Sequence, residues 1–386
     1  MLFKDIIGLE NIKAHLTNSV NNGRVPHAQL FIGAEGSGTL PMAIAYAQYV
    51  LCANSNGENE GNNQTCNIKC ANLAHPDLHF AYPVATTQKI KRNPVSTDFL
   101  VEWREFIKKQ PYADLYQWMQ FLDIEKKQGL IGKDEALAIT KTLSLKSFEG
   151  GYKIYIIWMA EKMNITASNK LLKLIEEPPE KTLLLLIAEE EEQIIKTILS
   201  RCQVIHFPKI SEENIINTLV EKEKTPRNIA VKIAHQSDGS WNRALHLLQQ
   251  DTEESIFETW FITWIRAAFK AKGNAAVIED LINWSNEIAT SGRETQKQFL
   301  QYCLHFFRQA MLLNYKADAL VYLETKSPNF DLKKFAPFIH SGNIIAISDI
   351  LNEAIYHIER NGSAKIILLD ISIKLTRLLH VKEDAV

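Results

Sequence analysis

Five short runs in the first half of the chain are apolar almost without interruption: Gln29–Ile32, Leu78–Tyr82, Lys153–Ile157, Thr182–Ile187 and Val204–Phe207. A strand with one wet face alternates apolar and polar residues, whereas a strand covered on both faces does not. Separated by stretches of helical period, these runs predict a parallel sheet flanked by helices over roughly residues 1–208. A helix is expected over Met42–Val50. Another is expected over Ala167–Glu177, where Leu171, Leu172, Leu174 and Ile175 form a face for the sheet and Pro178-Pro179 stops the helix. Between the second and third runs, residues 86–128 are polar and aromatic, with Trp103, Tyr112, Tyr116 and Trp118, and read as an insertion or helical excursion. Asn54 to Thr65, rich in Asn, Gly and Glu, reads as a flexible loop.

From Pro208 onward the pattern is helical only. Ser211 is placed to cap a helix that carries Glu212 and Glu213 in its first turn. Thr225 reads as the cap of the next helix, with Pro226 at its first position, Gly239 at its end and Ser240 opening Trp241–Leu248. Beyond Asp251 a helical period continues to about Leu379, with an aromatic face at Phe257, Trp260, Phe261 and Trp264 and breaks near Gly273, Gly292, Ser327–Pro328 and Gly362. Three domains follow as an expectation: an α/β core over 1–208, a small helical unit over 209–250 and an all-helical unit over 251–386.

Composition changes this picture little. The 386 residues exceed what one core sustains, and 46% hydrophobic with 23% charged excludes a disordered chain. A formal net charge of -2 sets up no field that would draw the whole protein to DNA or to an anionic membrane, so any nucleic-acid contact is local or shared with partners. No run reaches the roughly 18 apolar residues of a spanning helix, and Met1–Asp5 does not open a signal peptide; a cytoplasmic location without membrane contact is expected. Five cysteines, scattered and odd in number, suit a reducing compartment better than a disulfide framework.

The candidate chemistry lies after the first strand. Gly33-Ala34-Glu35-Gly36-Ser37-Gly38-Thr39-Leu40 joins strand to helix as a phosphate-cradling loop does, with glycines at Gly33, Gly36 and Gly38. The lysine that neutralises the β- and γ-phosphates is replaced by Thr39, and the hydroxyl that ligates magnesium by Leu40. Shifting the frame by one residue puts Gly38 where lysine is needed and rescues nothing. The strand Lys153–Ile157 runs into Trp158-Met159 where an acidic pair is required, and Glu161 comes too late. Hydrolysis by this chain is therefore not expected. An inert turn is the plain reading of the loop, and weak nucleotide binding is the other.

Several blocks, in order, carry a resemblance. They are Phe3–Gly8, Gly23–Gly33 with His27-Ala28 inside it, His75-Pro76-Asp77, Ala167–Pro179 with its Asn-x-Leu-Leu-Lys-x-x-Glu-Glu-Pro-Pro pattern, and Thr197–Cys202 with Ser200-Arg201-Cys202. Together they make the first 210 or so residues similar to the delta prime subunits of bacterial DNA polymerase III clamp loaders, of the AAA+ class. The resemblance implies an AAA+ P-loop-type parallel-sheet core, a helical lid and a C-terminal helical collar that oligomerises, in a five-subunit spiral. It also implies a non-hydrolysing role beside gamma/tau-type ATPase and delta-type subunits, with the sliding clamp and primer-template DNA reached through the complex. Arg201 is carried over as an arginine finger acting in trans on a neighbour's ATP; an ion pair with Glu176 is the plainer reading. Lys170 and Lys173 suit either a phosphate backbone or solvent.

The family's small zinc module has four cysteines; here only Cys52, Cys66 and Cys70 remain, with His75 or His79 as conceivable fourth ligands. No cofactor is expected, zinc being the one candidate. Arg243, or Asn242 on strict alignment, stands near the nucleotide-sensing arginine of AAA+ lids. Two rival readings are an active ATPase subunit of the same superfamily and a free-standing interaction protein on an inactive AAA+ scaffold.

Overall fold

The computed structural model describes residues 1–52, 64–125, 127–149, 151–249, 252–271, 274, 277–321, 323, 325, 327 and 330–381. The expected loop Asn54–Thr65 lies outside them as far as residue 63, and its last two residues open a helix instead. The expected breaks at Gly273 and Pro328 lie outside them too. The chain divides into two compact units, Met1–Ile124 with Gln128–Leu247 and Leu248–Val386 with Glu125–Lys127.

In the first unit the elements run α1 (Glu10–Asn21), β1 (Ala28–Ile32), α2 (Thr39–Cys52), α3 (Gln64–Ala71), β2 (Leu78–Ala81), α4 (Leu100–Lys109), α5 (Leu115–Phe121), α6 (Lys133–Ser144), β3 (Lys153–Trp158), α7 (Ile165–Glu176), β4 (Thr182–Ala188), α8 (Lys196–Leu199), β5 (Gln203–His206), α9 (Glu212–Glu221), α10 (Arg227–Ser237) and α11 (Trp241–Gln249). The strands lie in the order β2-β3-β4-β1-β5, every neighbour parallel, with Leu30 level with Leu186 and Tyr155 with Leu184. This is the parallel-sheet α/β core the sequence predicts, and each of the five apolar runs forms a strand.

Alternation along the strands feeds two cores. Ile154, Ile156 and Trp158 of β3 share one face with Phe31, Leu185 and Ile187, under α2, α4 and α5. Tyr155 and Ile157 share the other with Leu30, Leu184 and Leu186, under α6 and α7. The 86–128 excursion packs into the first core rather than decorating it. Trp103 and Trp118 are fully buried, Trp103 stacked on Tyr82 at 3.9 Å, and burial of each indole is worth upwards of about 2 kcal/mol.

The three helices expected as a lid belong to this same unit, α11 as far as Leu247. Ser211 caps α9 as predicted, its hydroxyl accepting from the Asn214 N–H. At α10 the expectation is off by one residue: Pro226 is the cap and Arg227 the first helical residue, because Thr225 is buried and its hydroxyl finds no partner among the described residues. At the other end Asp238, not Gly239, closes the helix, in left-handed backbone at φ 49°, and Gly239 follows at φ 80°.

The second unit is helical: α12 (Thr252–Ala271), α13 (Val277–Ala289), α14 (Arg293–Asn314), α15 (Leu332–Phe335), α16 (Ser341–Glu359) and α17 (Ala364–Leu378). The aromatic face predicted on α12 is its core side. Phe257, Phe261 and Trp264 are buried, Trp264 lies stacked on Trp284 at 4.9 Å, and its indole N–H donates to Ser372 Oγ at 2.9 Å. Among the described residues no helix is long and apolar enough to cross a membrane.

Candidate functional site

β1 ends at Ile32, and the glycine-rich loop carries the chain into α2, which begins at Thr39. Gly36 and Gly38 have φ of 70° and 96°, backbone that side chains rarely adopt. At Gly33 a Cβ would fall 2.7 Å from both Phe207 Cβ and Ser37 Oγ. Packing alone therefore requires these glycines, with or without a phosphate. Thr39 is half-buried at the helix start, and Leu40 is turned into the core.

The helical residues at the start of α11 are bonded straight onto this loop. The Trp241 N–H donates to the Gly36 carbonyl at 3.1 Å, and Asn242 Nδ2 donates to Glu35 Oε1 at 2.9 Å, while Ser240 sits directly against Gly36. Of the two residues weighed as a sensor, Asn242 is the one aimed at the loop; the Arg243 side chain makes no hydrogen bond or ion pair among the described residues, and its N–H donates to Ser240 Oγ.

The second half of the site is also filled. Trp158 ends β3 buried at 3% exposure, its ring 5.2 Å from that of Trp103, so an indole fixed in an aromatic core stands where an acid would hold magnesium. Met159 follows in left-handed backbone, φ 57°, and turns the chain into a short 3-10 segment over Ala160–Lys162. Glu161 lies on that segment and reaches sideways, accepting from the Glu189 N–H at the end of β4 (3.3 Å). Burial raises the Glu161 carboxyl, and burial with repulsion from Glu161, Glu35 and Asp114 pushes that of Glu189 well above the usual carboxylate range. The recess lined by Glu35, Gly36, Gly38–Pro41, Pro111–Ala113, Trp158 and Glu189 is partly open, with a cavity volume of about 20 Å³, room for about one water molecule. Neither Glu35 nor Glu189 stands out in the sequence, although an acid inside a glycine-rich phosphate loop is a readable signal.

Arg201 lies just past α8, on the outside of the same unit. Its Nε is 2.6 Å from Glu176 Oε1, and Nη1 donates to Thr197 O at 3.0 Å and Ser200 Oγ at 3.3 Å. The side chain is 38% exposed, so the guanidinium is held on one side and open on the other. The ion pair named from sequence thus exists, and it leaves the arginine accessible.

The other blocks have structural explanations. His27 Nε2 is 2.9 Å from the Ile175 carbonyl, tying the start of β1 to the end of α7. Asp77, 3% exposed, accepts from the Phe148 and Glu149 N–H groups at 2.7 and 3.0 Å, which fixes the approach to β3. Lys173 is exposed and Lys170 half-buried on α7, and neither forms an ion pair among the described residues.

The cysteines correct one expectation. Cys52, Cys66 and Cys70 come together, buried, with Cys52 and Cys66 joined as a disulfide and Cys70 Sγ 3.7 Å from Cys52 Sγ. Scattering along the sequence conceals this because α2 and α3 pack side by side. Burial pushes the Cys70 thiol up to about 12. Neither histidine completes a metal site. His75 has Nε2 on Glu149 at 3.1 Å and Nδ1 accepting from the Asp77 N–H, and His79 lies beside Tyr155. Three sulfurs, two of them bonded to each other, do not supply the four ligands of a structural zinc ion.

Comparison with known proteins gives a consistent pattern. Residues 8–211 match the family model described as DNA polymerase III, delta subunit. Among curated relatives, the DNA polymerase III subunit delta' of Bacillus subtilis is 29% identical over 55% of this chain and 51% of its own length. The DNA polymerase III subunit tau of the same organism is 23% identical over 98% of this chain and 62% of its length. The chain thus spans about half of the first relative and under two thirds of the second. A solved gamma-subunit-related protein of Thermotoga maritima aligns over 95% of this chain and 99% of its own, at 12% identity and a TM-score of 0.40. With its matched region running from the first helix to the end of the sheet domain, the chain belongs to the DNA polymerase III delta-subunit family of clamp-loader proteins.

Proposed function

We propose that this protein is the non-hydrolysing subunit of a bacterial replication clamp loader. In this reading it scaffolds the complex in the cytoplasm and supplies Arg201 as an arginine finger to ATP held by a neighbouring subunit. The observation that carries the reading is one contrast within a single unit. The chain's own loop carries Leu40 and Trp158 where a working site has a magnesium-binding hydroxyl and an acid, while Arg201 is presented outward with its Nη2 edge uncommitted. A finger has no use in its own emptied site, so its target is a second subunit's triphosphate, where it stabilises charge developing on the transferred phosphoryl group.

The partners are gamma/tau-type ATPase subunits and a delta-type subunit, with the helical second unit as collar; the sliding clamp and primer-template DNA are met through the assembly. The three-part division at 208 and 250 describes function in this reading, with α9–α11 a lid that is fixed rather than opened by nucleotide. Its test is Arg201→Ala in the reconstituted assembly. The finger reading expects ATP turnover at the adjoining site to fall on the order of a thousandfold, with assembly intact. Unchanged turnover would remove it.

A further inference from the structure

Glu176 stands where the physics of its own helix disfavours it. It is the last residue of α7, with Glu177 as the C-cap, and the negative end of the helix dipole repels carboxylates there. Its pair with Arg201 is not a stability device either, since both side chains are well exposed, 45% and 38%, and such pairs contribute little to folding. What the pair does is geometric. Of the five N–H donors of Arg201, Nε meets Glu176 and Nη1 meets Thr197 O and Ser200 Oγ, whereas Nη2 has no partner among the described residues. Three acceptors on one side hold a long, rotamer-rich side chain with its far edge pointing away from them, and the charge is retained throughout.

We propose that Glu176 is the positioning residue for Arg201: it aligns the guanidinium so that the Nη2 edge meets the γ-phosphate of ATP on the adjacent subunit. This rests on the finger reading above. Transition-state stabilisation by a charged group depends steeply on placement, an error of about 1 Å costing roughly a hundredfold in rate. Thr197 O and Ser200 Oγ both lie on the arginine's own short segment and fix the guanidinium relative to that segment alone. Glu176 ties it to α7, which packs on the sheet, and so to the rigid part of the unit.

The experiment is steady-state ATP hydrolysis by the assembly reconstituted from the full chain and the gamma/tau-type and delta-type subunits of the same organism. It compares wild type, Glu176→Ala, Glu176→Gln, Arg201→Ala and the double Arg201→Ala/Glu176→Ala. Glu176→Ala is expected to lower kcat at the adjoining site about tenfold with KM unchanged, the signature of an interaction made in the transition state. Glu176→Gln keeps an acceptor at the same reach and is expected to recover most of that loss. The double variant should be no slower than Arg201→Ala, because Glu176 acts through the arginine. Wild-type turnover in Glu176→Ala beside a slow Arg201→Ala would overturn the positioning role and leave the finger standing, as would faster turnover or multiplied losses in the double variant. Wild-type turnover in Arg201→Ala would overturn the finger, and the positioning role with it.

Discussion

Glu135, on α6, offers a quantitative test of the core. It is 1% exposed; Oε2 accepts from the Ser96 N–H at 2.6 Å, and Oε1 has no partner among the described residues. Burial pushes its carboxyl from the ordinary 4.5 to about 7, the Ser96 bond opposing the rise without cancelling it. A tenfold change in proton affinity is worth about 1.4 kcal/mol, so a rise of this size represents roughly 3 kcal/mol. The sign follows from proton counting. Between 4.5 and about 7 the folded state binds more protons at this site than the unfolded state does. Folding stability from this group therefore falls as pH rises through that window, and the loss is complete above it.

Glu135→Gln removes the charge and keeps an acceptor for Ser96, at the cost of a buried NH₂ that is the same at every pH. The informative quantity is therefore the wild-type-minus-variant stability difference as a function of pH, read from urea unfolding at about pH 4.5, 5.5, 6.5 and 8. That difference should move by about 3 kcal/mol across the range, always in the direction that favours the variant at high pH. Curves that stay parallel to within about 0.5 kcal/mol would refute the reasoning, and with it the burial of this carboxylate against Ser96 and Tyr82.

Trp158→Asp, which reinstates an acid at the end of β3, should not produce ATP turnover, because Thr39 and Leu40 remain; stripping the indole from the aromatic core should cost upwards of about 3 kcal/mol in unfolding experiments. Gly36→Ala places a Cβ at φ 70° directly against Ser240 and should lower the urea midpoint by an amount equivalent to about 1–3 kcal/mol, whereas Ala34→Gly on the exposed rim of the same loop should change it by less than about 1. Denatured under non-reducing conditions, the chain should show three titratable thiols, those of Cys70, Cys202 and Cys303, and all five cysteines only after reduction. Elemental analysis of untagged protein should find far less than one zinc per chain; stoichiometric zinc with five free thiols would mean that the cysteines form a metal site instead.

The sheet is legible in the sequence because strands covered on both faces are nearly continuous in apolar residues. Lys153–Trp158 and Thr182–Ala188 are located to within a residue at either end. The start of α2 comes three residues earlier than expected, with Pro41 inside its first turn, where proline is tolerated. The departures at Thr39, Leu40 and Trp158 are equally plain, because each falls where the P-loop ATPase pattern names a different residue type. Contacts made across long separations are not legible. Asn242 reaches Glu35 over 207 positions, and nothing in either segment advertises the other. The cysteines are the same case: the spacing of Cys52, Cys66 and Cys70 does not reveal that two helices bring all three sulfurs within 4.8 Å of one another. Arg201 and Glu176 lie between these extremes, since both are noticeable in the sequence but only their geometry gives the arginine one held side and one open side.

In the proposed reading this chain keeps the frame of an ATPase and none of its chemistry. ATP binding and magnesium-dependent hydrolysis by the purified chain alone, beside an active P-loop ATPase, test that most directly. The expected result is no turnover above background and at most weak binding, because Thr39, Leu40 and Trp158 stand where a working site has its lysine, its magnesium-binding hydroxyl and its acid. Tight ATP binding with steady hydrolysis would contradict it and make the protein a motor subunit.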